Sequence, residues 1–151
     1  MKKSGSGDRL TPPRRLYRSK PDAQLRLFGR VLDRLEVVDG GRIIHSWLDD
    51  RDLDATGTQA AHSEGLIDLL AQSETAEVAI LSKEAGPGST RVSVRTKPGG
   101  VDATQLTGAF GGGGHARAAG ATIAAPLADA RRLFLAEAER LALAVHRPTD
   151  G

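Results

Sequence analysis

Apolar residues recur at Leu25, Phe28, Leu32 and Leu35, the three- and four-residue spacing of a helix that buries one face. Pro21 suits the first helical turn and the Asp39-Gly40-Gly41 run stops it, so one amphipathic helix is predicted over 21 to 38. Arg42 to Leu48 (RIIHSWL) is β-branched and aromatic and reads as a strand, followed by a helical turn at DDRDLDAT. Ser63 and Glu64 stand before Leu66, Ile67, Leu69 and Leu70 as a cap before an apolar helical face. Ala76 to Ser82 (AEVAILS) and Thr90 to Lys97 (TRVSVRTK) flank EAGPGS, whose Gly and Pro predict a hairpin. Asp102, with Gln105 three residues on, has the form of a capping box and opens a short helix carrying Val101, Leu106 and Phe110. After a glycine run, AGATIA is a strand. Pro126 then starts a last helix with its stripe at Leu127, Ala130, Phe134, Ala138, Leu141 and Val145.

Strands alternating with helices define an α/β unit, a small mixed sheet flanked by helices, over 41–146. The helix in 21–40 is expected to lie outside it as an N-terminal connector, its stripe covered by the domain's own flank, a second copy in a homodimer, or another neighbour. Residues 1–20 read as a basic, disordered lead-in and 147–151 as a tail. The 151 residues fit one domain. No apolar run approaches the roughly 18 residues of a membrane span. With no cysteine, thiol catalysis and thiolate metal sites are excluded, and a cytoplasmic location is the expectation. Net charge is +2, yet residues 1–30 carry nine Lys or Arg against Asp8 and Asp22 (+7) while the rest carries −5. A basic arm of this kind suits contact with nucleic acid.

The feature richest in chemistry is FGGGGHARAAG, Phe110 to Gly120. Four glycines in a row, Gly111, Gly112, Gly113 and Gly114, allow close backbone approach and can turn several N–H groups toward one anion. A helix starting at His115 would add its dipole, leaving His115 and Arg117 beside a phosphate. Period two in TRVSVRTK puts Val92 and Val94 on one face and Arg91, Ser93, Arg95 and Lys97 on the other. Arg95 suits paired hydrogen bonds to phosphate or stacking on a base. No GxxxxGK[ST] or GxSxG occurs. Asp50, Asp52 and Asp54 start like a calcium loop, but Ala55 and Ala61 hold the positions that need Gly and Glu, so these acids are read as favouring a helix N-terminus. The histidines are scattered, and no metal site is predicted in this chain.

The residues SVRTK, followed by VDATQLTGAFGGGGHARAAGATI, resemble the DHH-associated C-terminal domain, subfamily one, of the DHH phosphoesterase superfamily. The likeness is greatest to bacterial oligoribonuclease and phosphoadenosine-phosphate phosphatase enzymes, with RecJ-type exonucleases further off. It runs from about Leu16 to Val145, through LYRSKP, RLFGRVLDRLE, SWL and EGL. The resemblance implies a two-lobed enzyme whose DHH lobe holds manganese on Asp and His ligands while the present domain closes over the substrate. It further implies that Arg95, with Ser93 beside it, holds substrate phosphate or base. Gly112 to Gly114 would line the phosphate site, His115 would face the scissile phosphate, and Pro21 to Glu36 would connect the lobes. The sequence contains no Asp-His-His triplet. The expectation is therefore a phosphate-binding domain that does not hydrolyse alone, is either independent or works with a separate DHH lobe, and takes short single-stranded RNA or DNA or an adenosine bisphosphate-type nucleotide. Manganese belongs only to the other lobe in this picture. A non-functional or protein-interaction fragment of a truncated phosphoesterase and a tRNA-binding domain, as in alanyl-tRNA synthetases, are the alternatives.

Overall fold

The computed structural model describes residues 21–147; the basic lead-in and most of the tail fall outside the described residues. Helix α1 (Asp22–Asp33) leads into strand β1 (Glu36–Val38), a 3-10 turn at Asp39–Gly41 and strand β2 (Ile43–Leu48). Helices α2 (Asp50–Thr56) and α3 (Leu66–Leu70) follow, then strands β3 (Val78–Glu84) and β4 (Thr90–Thr96). Helix α4 (Ala103–Gly108), the short strand β5 (Gly113–His115), strand β6 (Ala118–Ile123) and helix α5 (Leu127–Val145) complete the fold. The strands form one mixed sheet in the order β1-β2-β3-β4-β6-β5. Only β2 and β3 run parallel; the other neighbours are antiparallel. The parallel pair requires a crossover, and α2 and α3 lie in that connection.

The two faces of the sheet are covered unequally. On one, α4 and α5 bury Ile43, Val78, Ile80, Val92, Val94, Ala119 and Ile123 against Leu106, Ala130, Phe134 and Ala138. On the other, α1 and α3 bury Ile44, Leu48, Ala79 and Leu81 against Leu27, Phe28, Val31, Leu66, Ile67 and Leu70. This second core takes side chains from β2 and β3 and none from β4, β5 or β6. Half of that sheet face is therefore left bare.

The predicted helix over 21 to 38 is corrected in extent and in place. It ends at Asp33, and Glu36–Val38 pairs with β2 instead. Its buried residues are Leu27, Phe28 and Val31, which pack within the domain, while Leu25 is exposed. The helix is thus part of the domain's own core, the first of the coverings expected for its stripe. Ser63 does not cap α3: it closes a 3-10 turn, its Oγ donating to the Ala60 carbonyl (2.7 Å), and Gly65 stands at the helix start. Asp102 does cap α4, but by accepting from Thr104 N (2.8 Å) and Thr104 Oγ1 (2.5 Å) rather than through a reciprocal bond with Gln105. The hairpin of β3 and β4, strand β6 and helix α5 fall where the pattern puts them.

Candidate functional site

The register of the ladders fixes what stands on the bare half-face. Arg91, Ser93 and Arg95 alternate with buried Val92 and Val94 along β4. Ser93 pairs with Gly120, which pairs with Gly113. Arg95 pairs with Ala118, which pairs with His115, and Arg91 pairs with Thr122. Residues directly opposite in a ladder share a face. The result is a floor of Gly113, Ala118 and Gly120 with cations along one side and an exposed imidazole on the other. Two strand spacings, about 10 Å, separate the Arg95 and His115 backbones.

This surface is an open cleft of about 350 Å³ lined by Arg91, Ser93, Arg95, Gly113, Gly114, Ala118, Ala119 and Gly120. Of the residues singled out in the sequence, the structure brings Ser93, Arg95, Gly113 and Gly114 together there. His115 follows Ala118 in the same row, at the edge of the sheet. The Arg95 guanidinium donates from Nε to Asp68 Oδ1 (3.0 Å) on α3 and from Nη1 to the Val94 carbonyl (3.0 Å). Its Nη2 has no partner among the described residues. Arg91 lies across the floor, with Nη2 only 2.6 Å from where a Cβ on Gly120 would stand. Its Nη1 approaches Thr122 Oγ1 at 3.4 Å. Any side chain at Gly120 would displace it.

The glycine run is used differently from the expectation of an N–H cradle leading into a helix. Gly111 N donates to the Gly108 carbonyl (3.1 Å) and Gly112 N to the Thr107 carbonyl (2.9 Å), so both amides close the end of α4. No helix starts at His115: Gly113–His115 is the edge strand β5. A Cβ on Gly112 would lie 2.3 Å from the Gly120 carbonyl oxygen and 2.6 Å from the Ala121 Cβ, so the chain can cross β6 there only as glycine. A Cβ on Gly113 would meet nothing within 4 Å. Phe110 anchors the run from the other side by packing on Phe134, ring centroids 5.1 Å apart. Arg117 is not among the residues that line the cleft. Its Nη1 donates to the Lys97 carbonyl, and its own carbonyl accepts from Thr96 N (3.0 Å), which ties the β5–β6 turn to the end of β4.

Sequence reasoning put Arg91 on the basic face and Ala118 and Gly120 inside the glycine-rich motif but left all three out of the site, and it missed Asp68. Period two carried the signal for Arg91. Ala118 and Gly120 depend on the pairing of β4 with β6, and Asp68 on where α3 packs, which no local pattern reveals. A second recess of about 550 Å³, at the far ends of β2 and β3, is lined in part by Trp47, Glu84, Leu127 and Arg131. The Arg131 guanidinium already covers the Trp47 ring at 3.3 Å, so that aromatic face is taken.

The donor set for manganese does not fit here. Among the described residues no three His, Asp or Glu side chains gather closely enough to hold a metal ion. The fully buried carboxylate, Asp52, is occupied by Arg30 (3.0 Å) and Arg34 (2.5 Å). Nor is any helix of the described residues long and apolar enough to cross a membrane.

A sheet with a bare basic half-face beside a glycine-bounded edge strand defines the class of this domain, and the comparisons agree. The DHHA1 domain model matches residues 40–143, and the chain belongs to that family, the DHH-associated domains of the DHH phosphoesterases. Oligoribonuclease NrnB of Bacillus subtilis (strain 168) is 44% identical over 64 residues, which are 42% of this chain and 14% of NrnB. The fold is shared with an exopolyphosphatase-related protein of Bacteroides fragilis at a TM-score of 0.78 and 20% identity, over 87% of this chain and 38% of that one. It is also shared with the pGpG-specific phosphodiesterase PggH of Vibrio cholerae, at a TM-score of 0.55 and 16% identity over 80% and 39% of the two chains. The chain thus spans well under half the length of each of these relatives.

Proposed function

We propose that the bare half-face holds the phosphate of a nucleotide or of a short single-stranded oligonucleotide, as the substrate-binding part of a DHH-family phosphoesterase. The observation that carries this reading is the union of Ser93 and Arg95 with a floor of Gly113, Ala118 and Gly120. Small residues let an anion come down to the backbone, while a hydroxyl and a planar guanidinium donate from the side. Arg95 is held at Nε by Asp68, which fixes its plane and keeps Nη2 for a ligand. His115 stands one strand beyond Ala118 on the far side, from where its imidazole would donate to the same phosphate. Kinship with an oligoribonuclease and likeness to a pGpG-specific phosphodiesterase favour a nucleotide over other anions. Hydrolysis is then assigned to a metal-holding DHH lobe, the partner with which this domain would close on the substrate.

The test is titration of a 5′-phosphorylated short RNA and of adenosine 3′,5′-bisphosphate against the purified chain. Arg95→Ala removes a charge-assisted donor and is expected to weaken binding about tenfold. Gly113→Val, whose side chain meets no protein atom at the position of its Cβ, is expected to abolish most binding while leaving the melting temperature close to wild type. Unchanged affinity in both folded variants would move the ligand elsewhere or remove it.

A further inference from the structure

The recess of about 550 Å³ at the carboxyl ends of β2 and β3 shares no lining residue with the cleft. Those strands are the parallel pair, and the crevice beyond the carboxyl ends of parallel strands is where open α/β sheets leave room for ligands. Pro126 and Leu127 line it from the start of α5, and Arg131, one turn on, reaches back over the Trp47 ring with its Cζ 3.3 Å from the ring centre. At that distance the guanidinium lies flat on the indole, so its N–H groups point outward in its own plane. Nε is buried without an acceptor. The guanidinium as a whole has no carboxylate or carbonyl partner among the described residues, unlike Arg30, Arg34, Arg51, Arg95 and Arg140. Burial pushes its pKa down, with Glu36 opposing and Arg34 adding to the fall. A cation that is partly desolvated, held in one orientation and left unpaired is a place for an anion.

Other residues of the lining carry the opposite sign. Glu84 Oε1 accepts from Asp50 N (2.9 Å), while the exposed Asp50 carboxylate and the second Glu84 oxygen have no partner among the described residues. Asp49 is paired with Arg51 (3.3 Å), so those two add no net charge. A dianionic phosphate on Arg131 would share the recess with the Asp50 and Glu84 charges, whereas a ligand with one carboxylate and one ammonium answers both signs. We propose that this recess binds a free α-amino acid with a large apolar side chain. Its carboxylate forks onto the Arg131 guanidinium, its ammonium pairs with Asp50 and Glu84, and its side chain lies against Pro126 and Leu127. The site is independent of the phosphate cleft.

Trp47 is the chain's single tryptophan, so its fluorescence reports on the recess directly. The test titrates L-leucine and L-phenylalanine against the purified chain by Trp47 emission and by calorimetry. It adds 4-methylpentanoate, which lacks the leucine ammonium, and 3-methylbutylamine, which lacks its carboxylate. A saturable change with an amino acid is expected, and each leucine analogue should bind about tenfold more weakly or worse. Arg131→Gln is expected to weaken the amino acid about tenfold, and Asp50→Asn, at an exposed position, about threefold. Arg95→Ala should bind it as wild type does. No saturable binding of either amino acid to the wild type overturns the site, as does wild-type affinity in Arg131→Gln. Should Arg131→Gln melt early, Asp50→Asn decides in the same way. Binding of 4-methylpentanoate as tight as that of leucine overturns the assignment to an amino acid.

Discussion

Asp52 shows how much one side chain can hold. It is fully buried, yet it accepts from Arg34 Nη1 (2.6 Å) and Nη2 (2.5 Å), from Arg30 Nε (3.0 Å) and from Asp49 N (2.9 Å). Its own N–H donates to Asp49 Oδ1 (3.0 Å), so the same residue completes the capping box of α2 and ties α2 to α1. Burial works to raise its pKa, but the two guanidiniums and the Asp49 amide outweigh this and hold the carboxyl well below the usual carboxylate range. A group whose pKa is depressed by folding contributes stability above its unfolded value, and that contribution is lost as pH falls below it. The melting temperature of the wild type is therefore expected to drop as pH falls below about 4, and less so in Asp52→Asn. At neutral pH Asp52→Asn is expected to cost about 2 to 4 kcal/mol in urea unfolding. That is less than for a wholly buried network, because Arg30 is 43% exposed and can return to water. A neutral-pH loss below about 1 kcal/mol would show that the carboxylate charge matters little.

At the level of elements, the sequence was most legible where the side chains alternate or recur. The period of TRVSVRTK gave β4 its two faces, and the stripe of α5 gave Ala130, Phe134 and Ala138 their places in the core. It was least legible where backbone pairing decides. Val38 stands three residues after Leu35, at helical spacing, yet Glu36–Val38 pairs with His45, Ile44 and Ile43, so tertiary pairing overrides the local pattern. Gly113–His115 offers almost no side chains to read, and its identity as an edge strand comes from β6 alone. Among the glycines, the division of labour follows from contact rather than from composition. Gly112→Ala is expected to lose about 1 to 3 kcal/mol, since its methyl would meet the Gly120 carbonyl and Ala121. Gly113→Ala should stay within about 0.5 kcal/mol of wild type. Thermal denaturation of the two variants side by side checks this, and the reverse order would mean that β5 does not lie on β6 as described.

For the whole molecule, the two faces of the sheet are covered unequally. Helices α4 and α5 cover one sheet face completely, α1 and α3 cover half of the other, and what remains is cationic and floored by Gly and Ala. Metal-assisted hydrolysis needs a cluster of carboxylate and imidazole donors, and the described residues bring no three of them together. Asp68, beside the cleft, is paired with Arg95. The chain by itself, supplied with manganese, is accordingly expected to release no mononucleotide from a 5′-phosphorylated dinucleotide and no phosphate from adenosine 3′,5′-bisphosphate, even where it binds both. Adding a DHH lobe in trans is the complementary arm. If hydrolysis then appears, His115→Ala should lower turnover more than affinity, because charge builds on the phosphate oxygens as the bond breaks and a donor at the edge of the cleft acts most strongly at that point. Manganese-dependent turnover by the isolated chain, lost on substituting one of its own Asp residues, would mean that a metal centre forms here from residues that the structure keeps apart.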